Sequence, residues 1–218
     1  MANNVIAFVG IESFDNIQYM ARILSNLGKK VLVIDYSETE ALTWSVPRIS
    51  FIDINKDIVN YRNIDYTNQN ITDSMLNVYD DVLIAFGFNI IEEAILSCNI
   101  ICYVTDLYIN NITKINRINN FKIKSKYLFI RNVLEVKINP ELVASQIKKN
   151  IPKENTLILP FRERDQFSGL INQYNQTVCF TNISKAYEKL LYKQIHELYP
   201  GITKYKLKVA YRKARKGY

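Results

Sequence analysis

The stretch of the sequence with the clearest chemical content is VGIESFDN, residues 9–16, which follows an apolar run and precedes a helical pattern. A glycine turn that begins a helix is typical of phosphate-binding loops, because backbone N–H groups at a helix N-terminus attract anions. This turn has one glycine, Gly10, and no lysine or arginine. Glu12 and Asp15 stand where phosphates would bind, and in a poorly solvated site they would repel them by roughly several kcal/mol. The alternative is that Ser13 or Asp15 caps the helix.

The other reactive side chains do not form a catalytic or metal-binding pattern. His196 is the only histidine, so we assemble no Ser–His–Asp or Cys–His relay. The three cysteines have no metal-ligand spacing, and we expect them to be buried, reduced thiols. We therefore predict no catalytic residue, no cofactor and no metal site.

The basic character of the chain is concentrated at its C-terminus. The net charge is +7, and residues 204–218 contain seven basic residues and no acidic one, so the rest of the chain is neutral overall. A polyanion would therefore bind at this tail rather than on the body of the protein. The basic residues are Lys204, Lys206, Lys208, Arg212, Lys213, Arg215 and Lys216.

At helical spacing the tail has an apolar stripe beside a basic stripe. The apolar stripe consists of Leu207, Tyr211, Ala214 and Tyr218. The basic stripe consists of Lys204, Lys208, Arg212 and Arg215. Such a helix can lie on an anionic membrane, dock into a groove of a partner protein, or follow nucleic-acid phosphates. The remaining alternative is a solvated or disordered basic end.

Apolar runs that alternate with helical patterns predict an α/β fold with a doubly wound, mostly parallel sheet flanked by helices. The predicted strands are 5–9, 31–35, 81–86, 100–105, 127–132 and 156–160. The predicted helices are 14–27, 89–97, 109–121, 140–150, 166–174 and 182–199. Residues 37–79 have no long periodicity, and they form either a small strand pair or an irregular excursion. We predict one domain, 1–199, followed by the basic tail, 200–218.

Five segments resemble, in the same order, those of the ParA/MinD family, the deviant Walker (SIMIBI-class) P-loop ATPases that position plasmids, chromosomes, division machinery, pili and flagella. The segments are LGKKVLVID (27–35), YDDVLIAFGFN (79–89), CNIICYVTDLYINNITKINRI (98–118), LFIRNV (128–133) and LILPFRERDQFSGLINQYNQTV (157–178). Together they extend over most of residues 1–199. The resemblance implies the fold of that family.

The sequence departs from the family where its members bind Mg-ATP. Of the phosphate loop KGGxGKT only Gly10 remains, and Ser13 falls about where the main lysine belongs. Ala85 replaces the Walker B acid. Of the DxD pair, Asp35 remains and Ser37 takes the second place.

One further position has a counterpart in the family. Asn132 matches the asparagine that touches adenine, and a buried asparagine that satisfies nearby backbone is the alternative. The degenerate nucleotide-site positions are therefore Gly10, Glu12, Ser13, Asp15, Asp35, Ser37, Ala85 and Asn132.

We expect a bacterial, non-catalytic positioning or scaffold protein of a partition, conjugation, pilus or secretion system. It would bind a protein partner and, through the tail, DNA, and the resemblance implies a homodimer that needs no nucleotide. The alternatives are a divergent but active ATPase and a membrane-surface adaptor. We expect it in the cytoplasm, on the nucleoid or the membrane if the tail binds there, because no window approaches the roughly 20 apolar residues of a span and no signal peptide is recognisable.

Overall fold

A single sheet of eight strands organises the computed structural model, which describes residues 4–47, 58–135 and 138–216. Its strand order is β3-β4-β2-β5-β1-β6-β7-β8, and every neighbouring pair is parallel except β3 with β4. The strands are β1 Asn4–Gly10, β2 Val31–Asp35, β3 Val59–Tyr61, β4 Ile64–Thr67, β5 Asp81–Gly87, β6 Ile100–Thr105, β7 Ser125–Val133 and β8 Thr156–Pro160. The predicted doubly wound α/β fold is confirmed.

Helices cover both faces of this sheet. They are α1 Phe14–Asn26, α2 Ala41–Trp44, α3 Asp73–Val78, α4 Glu92–Leu96, α5 Ile109–Arg117, α6 Pro140–Gln146, α7 Glu163–Asn175, α8 Lys185–Leu198 and α9 Lys204–Ala214, with a 3-10 turn at Lys153–Asn155. Within the ranges that the structure describes, no helix is both long enough and apolar enough to cross a membrane.

The central strands are apolar throughout because both faces of the sheet are buried. Successive residues point to opposite sides, so Phe8 and Leu83 face one core while Ala7 and Ile84 face the other. The first core is closed by α1, α8 and α9, and the second by α4, α5 and α6. The β1–α1 turn lies at the carboxyl edge of the sheet between them.

Four helices are each four residues shorter than predicted. The predicted ranges 89–97, 109–121, 140–150 and 182–199 correspond to α4, α5, α6 and α8. Helices α5 and α6 end early because Asn116 links their ends. Its amide donates to the carbonyl of Gln146 and accepts from the N–H of Lys148, each at 2.8 Å. These bonds hold the chain after α6 in a non-helical path, which helical periodicity alone does not reveal.

The segment 37–79 contains a strand pair, one of the two predicted alternatives, but also two helices that were not predicted, α2 and α3. Arg62 and Asn63 join β3 to β4, and both have positive φ angles, 54° and 61°. Positive φ at both central residues is the backbone of a tight hairpin turn. Part of the predicted excursion, 48–57, lies outside the described residues.

Candidate functional site

The β1–α1 turn is fixed against the neighbouring strand β6. Gly10 has a φ of +128°, and a Cβ at this position would lie 2.0 Å from the carbonyl oxygen of Val104. The next residue, Ile11, donates its N–H to that same oxygen at 3.0 Å. Only glycine fits this backbone and this close approach, so the glycine noted in the sequence is required by packing alone.

The N-terminus of α1 is occupied by the chain's own carboxylates. Glu12 Oε1 accepts a hydrogen bond from the N–H of Ser13 at 3.0 Å, and the buried carboxylate of Asp15 lies in the first turn of the helix. Ser13 is the N-cap, as one of our alternatives had it, but among the described residues its side chain accepts no capping hydrogen bond. The N–H of Ser13, a donor that would face a phosphate in a phosphate-binding turn, therefore already faces an anion.

Asp15 is the buried centre of a cluster that joins three elements. Arg131 of β7 donates Nη1 to Oδ1 at 2.8 Å and Nη2 to Oδ2 at 2.9 Å, and Nη1 also donates to the carbonyl of Glu12 at 3.0 Å. The hydroxyl of Tyr187 in α8 donates to Oδ2 at 2.8 Å. All three side chains are buried, so the turn is held to the sheet and to α8 by a two-pronged ion pair.

The electrostatics of this cluster keep both partners charged. Burial alone would raise the pKa of Asp15, but the charge and hydrogen bonds of Arg131, with the bond from Tyr187, hold that pKa below its ordinary value. Burial alone would lower the pKa of Arg131, and the charge of Asp15 raises it instead. The anion at the end of α1 is therefore permanent at neutral pH.

Glu12 lies beside this cluster in a different environment. Burial raises the pKa of its carboxyl, although hydrogen bonds from the Thr39 hydroxyl and from the N–H of Ser13 act against the rise. Thr39 follows β2, so this contact ties the β1–α1 turn to the β2–α2 loop.

Both carboxylate oxygens of Asp35, the acid at the end of β2, accept hydrogen bonds from the loop that follows. One oxygen accepts from the N–H of Ser37 at 3.1 Å and from its hydroxyl at 2.6 Å. The other accepts from the N–H of Thr43 at 2.9 Å and from its hydroxyl at 3.1 Å. Four donors around one buried carboxylate hold α2 in place, and this role is structural.

The last two predicted site positions, Ala85 and Asn132, also contact other parts of the protein. Ala85 is a buried methyl group on β5, paired in register with Phe8 and Asp35, and it offers no ligand atom. Asn132 has a positive φ of 57°, and its Oδ1 accepts from the amide of Gln166 in α7 at 2.6 Å. The side chain of Asn132 therefore bonds to a neighbouring helix, a partner that neither of our two sequence alternatives named.

The structure thus brings together Gly10, Glu12, Ser13 and Asp15 at one turn, with Asp35 and Ser37 in the adjacent loop. Sequence analysis missed Arg131 and Tyr187, the partners of Asp15. The signal that could have found the first is a charged residue inside the apolar run YLFIRN, because a buried arginine requires a partner. Among the described residues, no group of three or more His, Cys, Asp or Glu side chains could hold a metal ion.

The tail forms α9 and packs on the domain. Leu207, Tyr211 and Ala214 of the predicted apolar stripe are buried in the first core, while Tyr218 lies outside the described residues. The prediction that this stripe could insert into a membrane or dock into a partner groove is therefore corrected, because the protein's own core already covers its apolar surface. The aromatic rings of Phe180 and Tyr192 lie 5.6 Å and 5.0 Å from the ring of Tyr211.

The opposite face of α9 is basic and open to solvent. Lys204, Lys206, Lys208, Arg212, Lys213 and Lys216 are exposed. Arg215 is half-buried, and its guanidinium donates to the carbonyl of Thr181 at 2.9 Å. Tyr205 is exposed among the lysines. Exposed cations with an interspersed aromatic ring are the elements of a polyanion-binding surface.

The strand order and the flanking helices give this chain the fold of the ParA/MinD type. No protein-family model matches the sequence, and no curated protein does. The solved structures that it resembles share so little sequence that they establish the fold alone.

Three of these structures illustrate the likeness. MinD in the MinC:MinD cell division complex of Aquifex aeolicus is 15% identical, with a TM-score of 0.59 over 88% of this chain and 95% of that chain. A plasmid partition protein of Borrelia burgdorferi bound to AMPPNP is 16% identical, with a TM-score of 0.59 over 90% and 98%. The pNOB8 ParA bound to nonspecific DNA is 13% identical, with a TM-score of 0.56 over 93% and 100%.

Proposed function

We propose that this protein is a non-catalytic positioning or scaffold protein with the ParA/MinD fold, which binds nucleic acid through α9 and does not use ATP. The observation that carries the proposal is the N-terminal end of α1, where Asp15, paired with buried Arg131, puts a fixed negative charge beside the turn. The related folds include proteins in complexes with MinC and with nonspecific DNA, which supports a role in binding partners.

The residues at the carboxyl edge of the sheet do not fit a magnesium triphosphate. The turn offers no lysine, and Arg131, the cation that contacts it, is neutralised by Asp15. Asp35 is enclosed by four donors, and Ala85 has no oxygen to place near a metal. Phosphoryl transfer needs positioned cations around the transferred group, and these residues supply none.

We expect Mg-ATP to leave the melting temperature of the protein unchanged. A ligand present at about 100 times its Kd would raise the unfolding free energy by about 2.7 kcal/mol, a change that a thermal-shift assay measures easily. Mg-ADP and Mg-AMPPNP serve as further probes, and phosphate release is measured in parallel. A clear rise in melting temperature with any of them would overturn this part of the proposal and favour a divergent ATPase.

We favour nucleic acid over a membrane as the ligand of α9 because of which face of this helix is exposed to solvent. Its apolar residues are buried in the core, so the exposed surface is charged and polar. Stable attachment of an amphipathic helix to a bilayer requires apolar side chains inserted among the lipids. Phosphate binding requires cations alone, with aromatic stacking as an addition.

Replacing Lys204, Lys208 and Arg212 by glutamine is expected to weaken DNA binding at every sequence tested. The slope of log K against log[salt] should also fall in magnitude by roughly 0.9 for each lost phosphate contact. Binding is measured by fluorescence anisotropy at several salt concentrations. The matched control replaces Lys122, Lys124 and Lys148, three exposed lysines near α5 and α6 on the other face of the sheet.

DNA affinity that is equal in the two triple variants would contradict the assignment to α9. Sedimentation with anionic vesicles tests the membrane alternative with the same proteins. Binding to vesicles in the absence of DNA binding would replace nucleic acid by membrane in the proposal.

A further inference from the structure

The polarity of α7 is the reverse of that expected for a helix on the surface of a domain. Its buried residues are Asp165, Gly169 and Asn172, which are polar or small. Its large apolar residues point outward: Phe167 is 58% exposed, Leu170 62%, Ile171 56% and Tyr174 88%. We call these four side chains the α7 patch.

Polar contacts on the inner side fix this orientation. Asp165 accepts from the N–H and the hydroxyl of Ser184, at 2.5 Å and 2.7 Å. The Asn172 amide donates to the carbonyl of Cys179 at 2.8 Å and accepts from its N–H at 3.0 Å. Gly169 lies against Asp15, where a Cβ would be 3.5 Å from that side chain. Rotating α7 to bury the patch would break all of these contacts, so the patch stays at the surface.

We propose that the α7 patch is a self-association surface through which two copies of this chain form a two-fold dimer. The four residues follow the spacing i, i+3, i+4 and i+7, which aligns them along one side of the helix. Such a seam packs best against another helix with the same seam. In a two-fold dimer the second α7 supplies that helix, since the two surfaces are identical.

The area of the patch suits a dimer. Four large side chains of roughly 200 Å² each, all more than half exposed, provide about 500 Å² of apolar surface. A standard stable interface buries about 800 Å² on each partner, and in homodimers about 65% of it is apolar. The patch therefore supplies nearly all the apolar surface that one side of such an interface needs.

The charge distribution favours a second copy as the occupant. The net charge of +7 resides in residues 204–218, and the rest of the chain is neutral overall, so two copies can approach through a face outside that segment without net charge repulsion. Between Asp165 and Lys185 the sequence contains no charged residue. The charged residues of α7 on the exposed side are Glu163 and Arg164, of opposite sign, one turn before Phe167. Two copies can meet at this face without an excess of like charge, because the one acidic and the one basic residue beside the patch balance each other.

The dimer is tested by sedimentation equilibrium and light scattering from about 1 to 100 µM protein. We expect a mass of twice 25.5 kDa at the upper end, with or without Mg-ATP. The Leu170→Glu, Ile171→Glu double variant should raise the dissociation constant on the order of a hundredfold, because buried interface anchors carry most of the binding energy. Tyr174→Glu, at the most exposed position of the patch, is a milder second variant.

The matched control is Leu96→Glu with Leu142→Glu, two equally exposed leucines on α4 and α6. It should dimerise like the unaltered protein, and circular dichroism should show all variants folded. A protein that is monomeric at 100 µM, or that dimerises equally well with both α7 variants, overturns the proposal. A dimer disrupted by the α4 and α6 substitutions instead also overturns it. None of these results bears on Mg-ATP or DNA binding, so the two proposals fail separately.

Discussion

The Arg131→Leu variant is expected to lose about 3–5 kcal/mol of unfolding free energy, because it leaves the carboxylate of Asp15 buried without its cation. Leucine retains much of the volume of the arginine stem, so most of the loss reports the unpaired charge rather than a cavity. The guanidinium also holds the carbonyl of Glu12, and the turn would lose that bond as well. Urea unfolding followed by circular dichroism measures the change.

A matched control is Arg162→Leu. Arg162 lies 3.3 Å from Glu135, but both side chains are well exposed, and exposed pairs contribute at most about 1 kcal/mol. If Arg131→Leu is no more destabilising than Arg162→Leu, the buried pair does not hold the turn. The Asp15→Asn, Arg131→Leu double variant should lose less than the two single variants together, since it no longer buries a lone charge.

The same pair gives the protein a distinct response to acid. The pKa of Asp15 is lower in the folded protein than its ordinary value of 3.8. The stabilisation is therefore fully present above about pH 4 and is lost as the pH falls through the folded-state pKa. In the Asp15→Asn variant this titration is absent. Its unfolding free energy, measured between about pH 2 and 5, should therefore depend less steeply on pH.

A chain that ends at Tyr199 is expected to lose cooperative unfolding altogether. Without α9, the faces of α1 and α8 that now contact Leu207 and Tyr211 would be open to water. Removal of a single buried aromatic side chain costs about 3–5 kcal/mol, and whole domains are stable by only about 5–15 kcal/mol. The bond between the Phe180 N–H and the Arg215 carbonyl, 3.0 Å, would also be lost.

Thermal unfolding by circular dichroism, with binding of a hydrophobic dye, measures this effect. The glutamine triple variant of Lys204, Lys208 and Arg212 is the control: it alters only exposed charges and should melt within a few degrees of the unaltered protein. A truncated chain that unfolds cooperatively near the same temperature would show that α9 is dispensable for the core. If the prediction holds, substitution rather than truncation is the valid test of DNA binding.

The parts of this structure that sequence reasoning predicted well are those with a local signature. Continuous apolar runs indicated the buried parallel strands, and the order of five segments indicated the fold. The β3–β4 hairpin was one of two alternatives, because its short strands lack a long periodic pattern. The excess length predicted for α5 and α6 has a tertiary cause, the contacts of Asn116, which no helical pattern contains.

For the candidate site, the sequence indicated which residues lie at the turn but not which residues they contact. The sequence predicts that Glu12 and Asp15 disfavour phosphate, but the cation that balances Asp15 lies 116 residues further along the chain. The apolar stripe of α9 was recognised by its spacing, which reveals that a face is apolar and not what covers it. In both cases the missing information was the identity of a distant partner, which depends on the complete fold.

The carboxylate that Arg131 holds at the end of α1 has a consequence for how such a protein would be controlled. A nucleotide-driven switch changes state when a phosphate anion binds and is later hydrolysed. Here the anion is a side chain of the polypeptide and cannot dissociate. Under our proposal the protein has no change of state that is timed by nucleotide hydrolysis. Its attachment and release would follow the abundance of the protein, the local salt and the supply of its partners.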